Sequence, residues 1–175
     1  MEEERSLHSR SGKGVLRLPF PCRGEQRNSK TKKKVLKEEY KMEFFLHMKP
    51  PTATAQEKKV SLVNGKYIFY DPAPVKAAKK LLTGSLIIHR PEKPLCGPVS
   101  LSTVWLFPKG KSHKHREWRV TRPDTDNLQK LLKDCMTRCR FWYDDAQVVK
   151  ENIEKRWSDD PTGIYIEVKE LEGAE

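Results

Sequence analysis

The stretch "DTDNLQKLLKDCMTRCR", Asp124 to Arg140, constrains the fold more than any other part of the chain. Leu128, Leu131, Leu132, Cys135, Met136 and Cys139 recur at helical spacing and make one broad apolar face. A lone helix cannot cover such a face, so the rest of the chain must supply an apolar partner surface. What the rest offers is strands. "EFFLHMK" (Glu43–Lys49) is a short apolar strand ending at Pro50-Pro51, and "VSLSTVWLF" (Val99–Phe107) reads as half-buried. "AQVVKENIEKRW" (Ala146–Trp157) reads as a long strand, "SDDPTG" as a turn and "IYIEVKEL" as the closing strand. Two β-rich runs flank Asn64-Gly65, the pair that a type I′ hairpin turn favours. A second helix opens at Asp71-Pro72-Ala73-Pro74 and runs to about Ile88, with Val75, Ala78, Leu81, Leu82 and Leu86 facing inward. The expectation is an α+β fold in two layers: a mixed β-sheet with two main helices packed on one face.

Charge divides the chain. Of the net +11, +6 lies in residues 1–41, which hold 12 Lys and Arg against 6 Asp and Glu. That segment has no sustained apolar period and reads as a disordered basic extension, either an arm adding DNA affinity or an accessory piece. "KEEYKM" can be encoded by a purine-rich ribosome-binding sequence just upstream of Met42, so Met42 is expected to be the translation start and 42–175 the folded domain. Hydrophobic residues at 36% and charged residues at 34% allow one modest core. No apolar run of about 18 residues is present, so no membrane span is expected. The charged N-terminus lacks the apolar region of a secretory signal. Cys22, Cys96, Cys135 and Cys139 are too unevenly placed for a disulfide scaffold and read as structural thiols in a reducing cytoplasm.

Against this basic background, acids gather around the long helix. Asp124 and Asp126 stand at its mouth, Lys130 follows one turn later, and "FWYDDAQVV" brings Asp144 and Asp145. Taken singly, these are a helix cap, a first-turn acid favoured by the helix dipole, two i,i+4 ion pairs with Lys130 and a turn. Taken jointly, they suggest a site. Neighbouring carboxylates repel unless a cation holds them, and magnesium takes one or two carboxylates together with substrate phosphate. Lys130 could then meet a phosphate oxygen. The surrounding bases, Lys109, Lys111, Lys114, Arg116, Arg119 and Arg122, would hold a DNA backbone. His113 and His115 read as solvated phosphate contacts rather than zinc ligands. Trp105 and Trp142 read as core or dimer interface, and Trp118 is the tryptophan to examine for DNA contact.

"DTDNLQK" followed by "FWYDDAQVV" resembles the RusA family of Holliday junction resolvases, particularly its phage members. "MKPPTATAQ", "VNGKYIFYDPAPVKAAKKLL" and "RPEKPLCGPVSLSTVWLFP" extend the likeness over about Met42 to Val168. The resemblance implies a homodimer that nicks four-way DNA junctions symmetrically with magnesium, manganese substituting, in a bacterial cytoplasm under phage or prophage control. It implies metal carboxylates at Asp124, Asp126 and Asp145, and an essential lysine at Lys130. Supporting roles fall to Asp144, Asn127 and Gln147, the last sharing a strand face with Asp145. Members with a dense arginine run before the first aspartate differ from the "TRPD" here. A non-cleaving branched-DNA binder of the same fold is the alternative. A sugar transferase using D-x-D lacks support, because no Gly-rich nucleotide loop precedes the acids and no nucleotide cofactor is expected.

Overall fold

The computed structural model describes residues 40–54 and 59–172. Most of the expected extension, residues 1–39, therefore lies outside the described residues. Six strands and two helices follow in the order β1 (Lys41–His47), β2 (Lys59–Val63), β3 (Lys66–Tyr70), α1 (Ala73–Leu86), β4 (Val99–Pro108), α2 (Thr125–Arg138), β5 (Val148–Ser158) and β6 (Gly163–Glu170). A four-stranded sheet has the order β1-β6-β4-β5, and β2 and β3 form a separate two-stranded sheet. β4 and β5 are parallel and the other pairings antiparallel, so the sheet is mixed as expected. β1 begins at Lys41, and Tyr40 O also accepts a bond from Glu170 N (2.9 Å), so among the described residues the pairing with β6 includes both residues before Met42.

One face of the sheet is apolar. Leu101, Thr103 and Trp105 of β4 stand opposite Val168, Ile166 and Ile164 of β6, and all six are buried. Direct antiparallel partners share a face. Phe44 and Leu46 pair with Ile166 and Ile164 and so extend that face onto β1. Ala78, Leu82 and Leu86 of α1 and the whole α2 stripe join it in a single core. The opposite face carries Lys41, Glu43, Tyr165 and Glu167, tied by a Tyr165 hydroxyl bond to Glu43 (2.8 Å) and a Lys41–Glu167 ion pair (3.1 Å). The two layers are therefore a sheet and, on its apolar side, a helical pair. Leu81 does not join the core: it is 45% exposed, because Val75, Ala78, Leu82 and Leu86 already fill the buried face and Leu81 falls at its margin.

α2 ends in a left-handed cap. Arg140 has φ +67, its N–H bonds Thr137 O (3.0 Å), and Phe141 N–H bonds Met136 O (3.1 Å), which is the Schellman arrangement. The hairpin turns as expected, with Asn64 at φ +49 and Gly65 at φ +73. Cys135 and Cys139 are free thiols, whereas Cys96 is disulfide-bonded, against the expectation of thiols throughout. Among the described residues no helix is long and apolar enough to cross a membrane.

Candidate functional site

Two of the expected acids sit together at the mouth of α2. Asp124 is the N-cap in extended backbone (φ −74, ψ 153), yet its carboxylate makes no capping bond. An N-cap aspartate ordinarily spends its oxygen on a backbone N–H; this one keeps its oxygens in solvent. Asp126 in the first turn is exposed, and so is Lys130 one turn later. Among the described residues none of Asp124, Asp126, Lys130 or Asp134 forms an ion pair, so the i,i+4 pairs that would make the acids mere decoration are not formed. Asn127 is buried beside them at 8% exposure, and its Oδ1 has no hydrogen-bond partner. A buried carbonyl oxygen without a donor is costly, and a cation or a donating ligand would relieve it.

The approach to Asp124 is held by bases that sequence reasoning placed elsewhere or missed. Arg119 lies over the rings of Phe107 (3.8 Å) and Trp157 (4.6 Å) and donates to Arg122 O (2.5 Å) and Thr121 Oγ1 (3.1 Å). Lys155 of β5 donates to Thr121 O (3.0 Å) and Pro123 O (2.6 Å). Burial holds the Lys155 ammonium below the ordinary lysine pKa; the Arg119 charge pushes the same way and Asp124 opposes both. Arg119 and Lys155 thus fix residues 119–123. Nothing in the local sequence of Lys155 marks it, because its partners come from a loop more than thirty residues earlier.

The rest of the basic loop runs along the edge of β5. Arg116 N bonds Trp157 O (2.8 Å), Trp157 N bonds Glu117 O (2.8 Å) and Arg119 N bonds Lys155 O (3.0 Å). His113 stacks on Trp157 at 4.4 Å, and His115 Nδ1 accepts from Asp159 N (3.2 Å), so both histidines are built into the loop. Lys109 pairs with Asp159 (3.0 Å). Lys111, Lys114, Arg116 and Arg122 are exposed. Trp118 is 56% exposed, with Arg156 stacked 3.5 Å from its ring centre, while Trp105 and Trp142 are fully buried.

The second acidic pair departs from expectation. β5 starts at Val148, and Asp145–Gln147 form a single 3-10 turn, so Asp145 and Gln147 do not share a strand face. Asp144 caps that turn, accepting from Ala146 N (2.9 Å). Gln147 Oε1 accepts from Tyr143 N (2.8 Å) and Asp144 N (3.1 Å), and its Nε2 donates to Leu95 O (2.9 Å) and Gly97 O (3.0 Å). Asp145, half-buried between these two anchored residues, has no ion pair or side-chain hydrogen bond among the described residues. Asp144 and Gln147 therefore hold the turn that carries Asp145.

Asp145 is not beside Asp124. α2 is the crossover between parallel β4 and β5, so it begins near their C-terminal ends, where Lys155 reaches Pro123, and finishes near their starts, where Val99 faces Val148. Its 14 residues separate the two acidic groups by on the order of 20 Å. Among the described residues no group of three His, Cys, Asp or Glu side chains stands close enough to hold a metal ion. In kind the donors suit a hard divalent cation, since Asp124, Asp126 and the orphaned Asn127 oxygen are all oxygen ligands. In place, one chain gathers only the first two carboxylates.

The model of the endodeoxyribonuclease RusA family matches residues 48–169. The chain belongs to the RusA family. It is similar to the crossover junction endodeoxyribonuclease rusA of Lactococcus phage r1t, 32% identical over 135 residues that span 75% of this chain and 99% of the relative. It is also similar to YqaN of Bacillus subtilis, 32% identical over 122 residues, covering 63% of this chain and 84% of that protein. RusA of Escherichia coli K12 is 53% identical over 34 residues, 19% of this chain and 28% of the relative.

Proposed function

We propose that the protein is a magnesium-dependent endodeoxyribonuclease that resolves Holliday junctions as a homodimer, with manganese able to substitute. The observation that carries this reading is the mouth of α2 in a RusA-family chain: two carboxylates without capping bonds or ion pairs, beside a buried amide oxygen with no donor.

In this reading Asp124 and Asp126 would hold the ion, and Asn127 Oδ1, which has no donor among the described residues, would accept from a donor group in the site. Magnesium, when bound, supplies positive charge that makes the scissile phosphate more susceptible to water. Arg119 and Lys155 keep the first carboxylate in position by fixing the loop that carries it. Lys130 offers its ammonium to the charge that develops on the phosphate oxygens as water attacks and the P–O bond to the leaving strand breaks. Because Asp145 lies about a helix length away in its own chain, a second copy supplies the third carboxylate. A two-fold assembly then carries two sites, which suits a junction that needs two matched nicks. Lys111, Lys114, Arg116 and Arg122 meet the DNA backbone.

The test is gel analysis of an end-labelled four-way junction with magnesium. The wild-type protein should give paired nicks at symmetric positions. Asp126→Asn should bind the junction at least as well and leave it intact; cleavage by that variant would refute the site.

A further inference from the structure

The hairpin β2–β3 is an anomaly of this fold. Among the described residues it pairs with neither edge of the four-stranded sheet, and none of its described side chains belongs to the core. Its register places Val60 opposite Phe69 and Leu62 opposite Tyr67, and direct antiparallel partners share a face. That face therefore consists of Val60, Leu62, Tyr67 and Phe69, which are 51%, 63%, 74% and 68% exposed. The other face is mixed, pairing Ser61 with Ile68 and Lys59 with Tyr70. A free two-stranded hairpin is marginally stable in water, and one with four large apolar groups on one side needs a cover.

We infer that this face is an interface between two copies of the chain, with the two hairpins packed face to face across the two-fold axis. Three observations select a second copy. The face carries no lysine or arginine, so it has nothing to neutralise DNA phosphates. Its exposed area is on the order of 500 Å² per chain, so a mutual pair buries about 1,000 Å², the threshold for a specific interface. The acidic site is also incomplete within one chain, Asp145 standing at the far end of α2 from Asp124 and Asp126. An isologous contact needs a self-complementary patch, and a uniformly apolar face is complementary to itself. Of these, only the incomplete acidic site rests on the nuclease reading; the hairpin face stands on exposure and register.

The experiment is sedimentation equilibrium of the full chain with Leu62→Ser/Phe69→Ser, beside Leu81→Ser/Ile88→Ser as a control on another exposed apolar patch. The wild type and the control should be dimeric. The hairpin variant should keep the circular dichroism spectrum of the wild type and have a dimer dissociation constant raised at least about a hundredfold, since two large apolar residues are lost from each side. A hairpin variant that stays dimeric overturns the interface while leaving a homodimeric nuclease standing; a monomeric wild type overturns both. A photocrosslinker replacing Tyr67, irradiated with a labelled four-way junction present, should give a protein–protein adduct. A protein–DNA adduct alone would make the face a base-contacting wedge and overturn the proposal.

Discussion

Gln147 decides whether the turn that presents Asp145 is held as rigidly as the geometry implies. Its side chain makes four hydrogen bonds, to two backbone N–H groups within the turn and to two carbonyls of the segment before β4. Gln147→Ala removes all four. At about 1 kcal/mol net for each bond the loss would approach 4 kcal/mol. The residue is half-buried, so water can reach some of the abandoned groups, and the expected cost falls to about 2–3 kcal/mol. Asp144→Ala, by contrast, removes the side-chain cap of the same turn and should cost about 1 kcal/mol. Urea unfolding followed by tryptophan fluorescence measures both. Amide exchange at Tyr143 and Asp144 should also accelerate in the Gln147 variant, because those two N–H groups lose their acceptor. A Gln147→Ala protein no less stable than Asp144→Ala would refute the reasoning: the four bonds would then be replaceable, and Gln147 would not be the anchor of the turn.

Two further outcomes concern the helical layer. Arg140 holds φ +67 at the end of α2, a region where a side chain is disfavoured and glycine is at ease, so Arg140→Gly should raise stability by about 0.5–1 kcal/mol in thermal unfolding. Burial pushes the Cys135 and Cys139 thiols above their ordinary pKa, against the pull of the Arg138 charge. Because the folded pKa is the higher one, this contribution to stability is complete below the ordinary thiol pKa and is lost as pH rises through the raised value. Stability should therefore decline on the alkaline side, and alkylation at neutral pH should be slow until urea unfolds the chain; fast alkylation of the folded protein would contradict this.

What the sequence reveals and conceals follows from the range of the interactions. The α2 stripe, the Asn64-Gly65 turn and the alternation in "VSLSTVWLF" are periodic signals over many residues, and the corresponding elements form nearly where expected. Four residues of "DAQV" are too few to separate a 3-10 turn from the first residues of a strand, so β5 starts two residues later than its pattern suggests. Leu81 satisfies an inward pattern as well as Leu82 does, and only packing against the sheet decides which is buried. Lys155 and Arg119 owe their roles to contacts across a crossover, which no local pattern announces. The acids at each end of α2 are visible as motifs. Their separation is not, because it depends on β4 and β5 being parallel neighbours, a pairing that strand periodicity leaves open.

That separation yields a test of where the third carboxylate comes from. Suppose Asp126→Asn and Asp145→Asn chains are each inactive, and the two are refolded together. If every site were built within one chain, each would still carry one lesion and the mixture would stay inactive. If each site joins the α2 mouth of one chain to the Asp145 turn of the other, the mixed dimer places both lesions in one site and leaves the second site whole. Random pairing makes half the dimers mixed, each with one intact site of two, so about a quarter of wild-type sites return. The products should also change character: a mixed dimer nicks a junction on one side, so single nicks should outnumber paired ones. Activity regained as single nicks would show that the acids gathered in this basic chain are shared between subunits. A mixture as dead as its components, with mixed dimers demonstrated by mass, would return all three carboxylates to one chain and require α2 or the Asp145 turn to move on binding DNA.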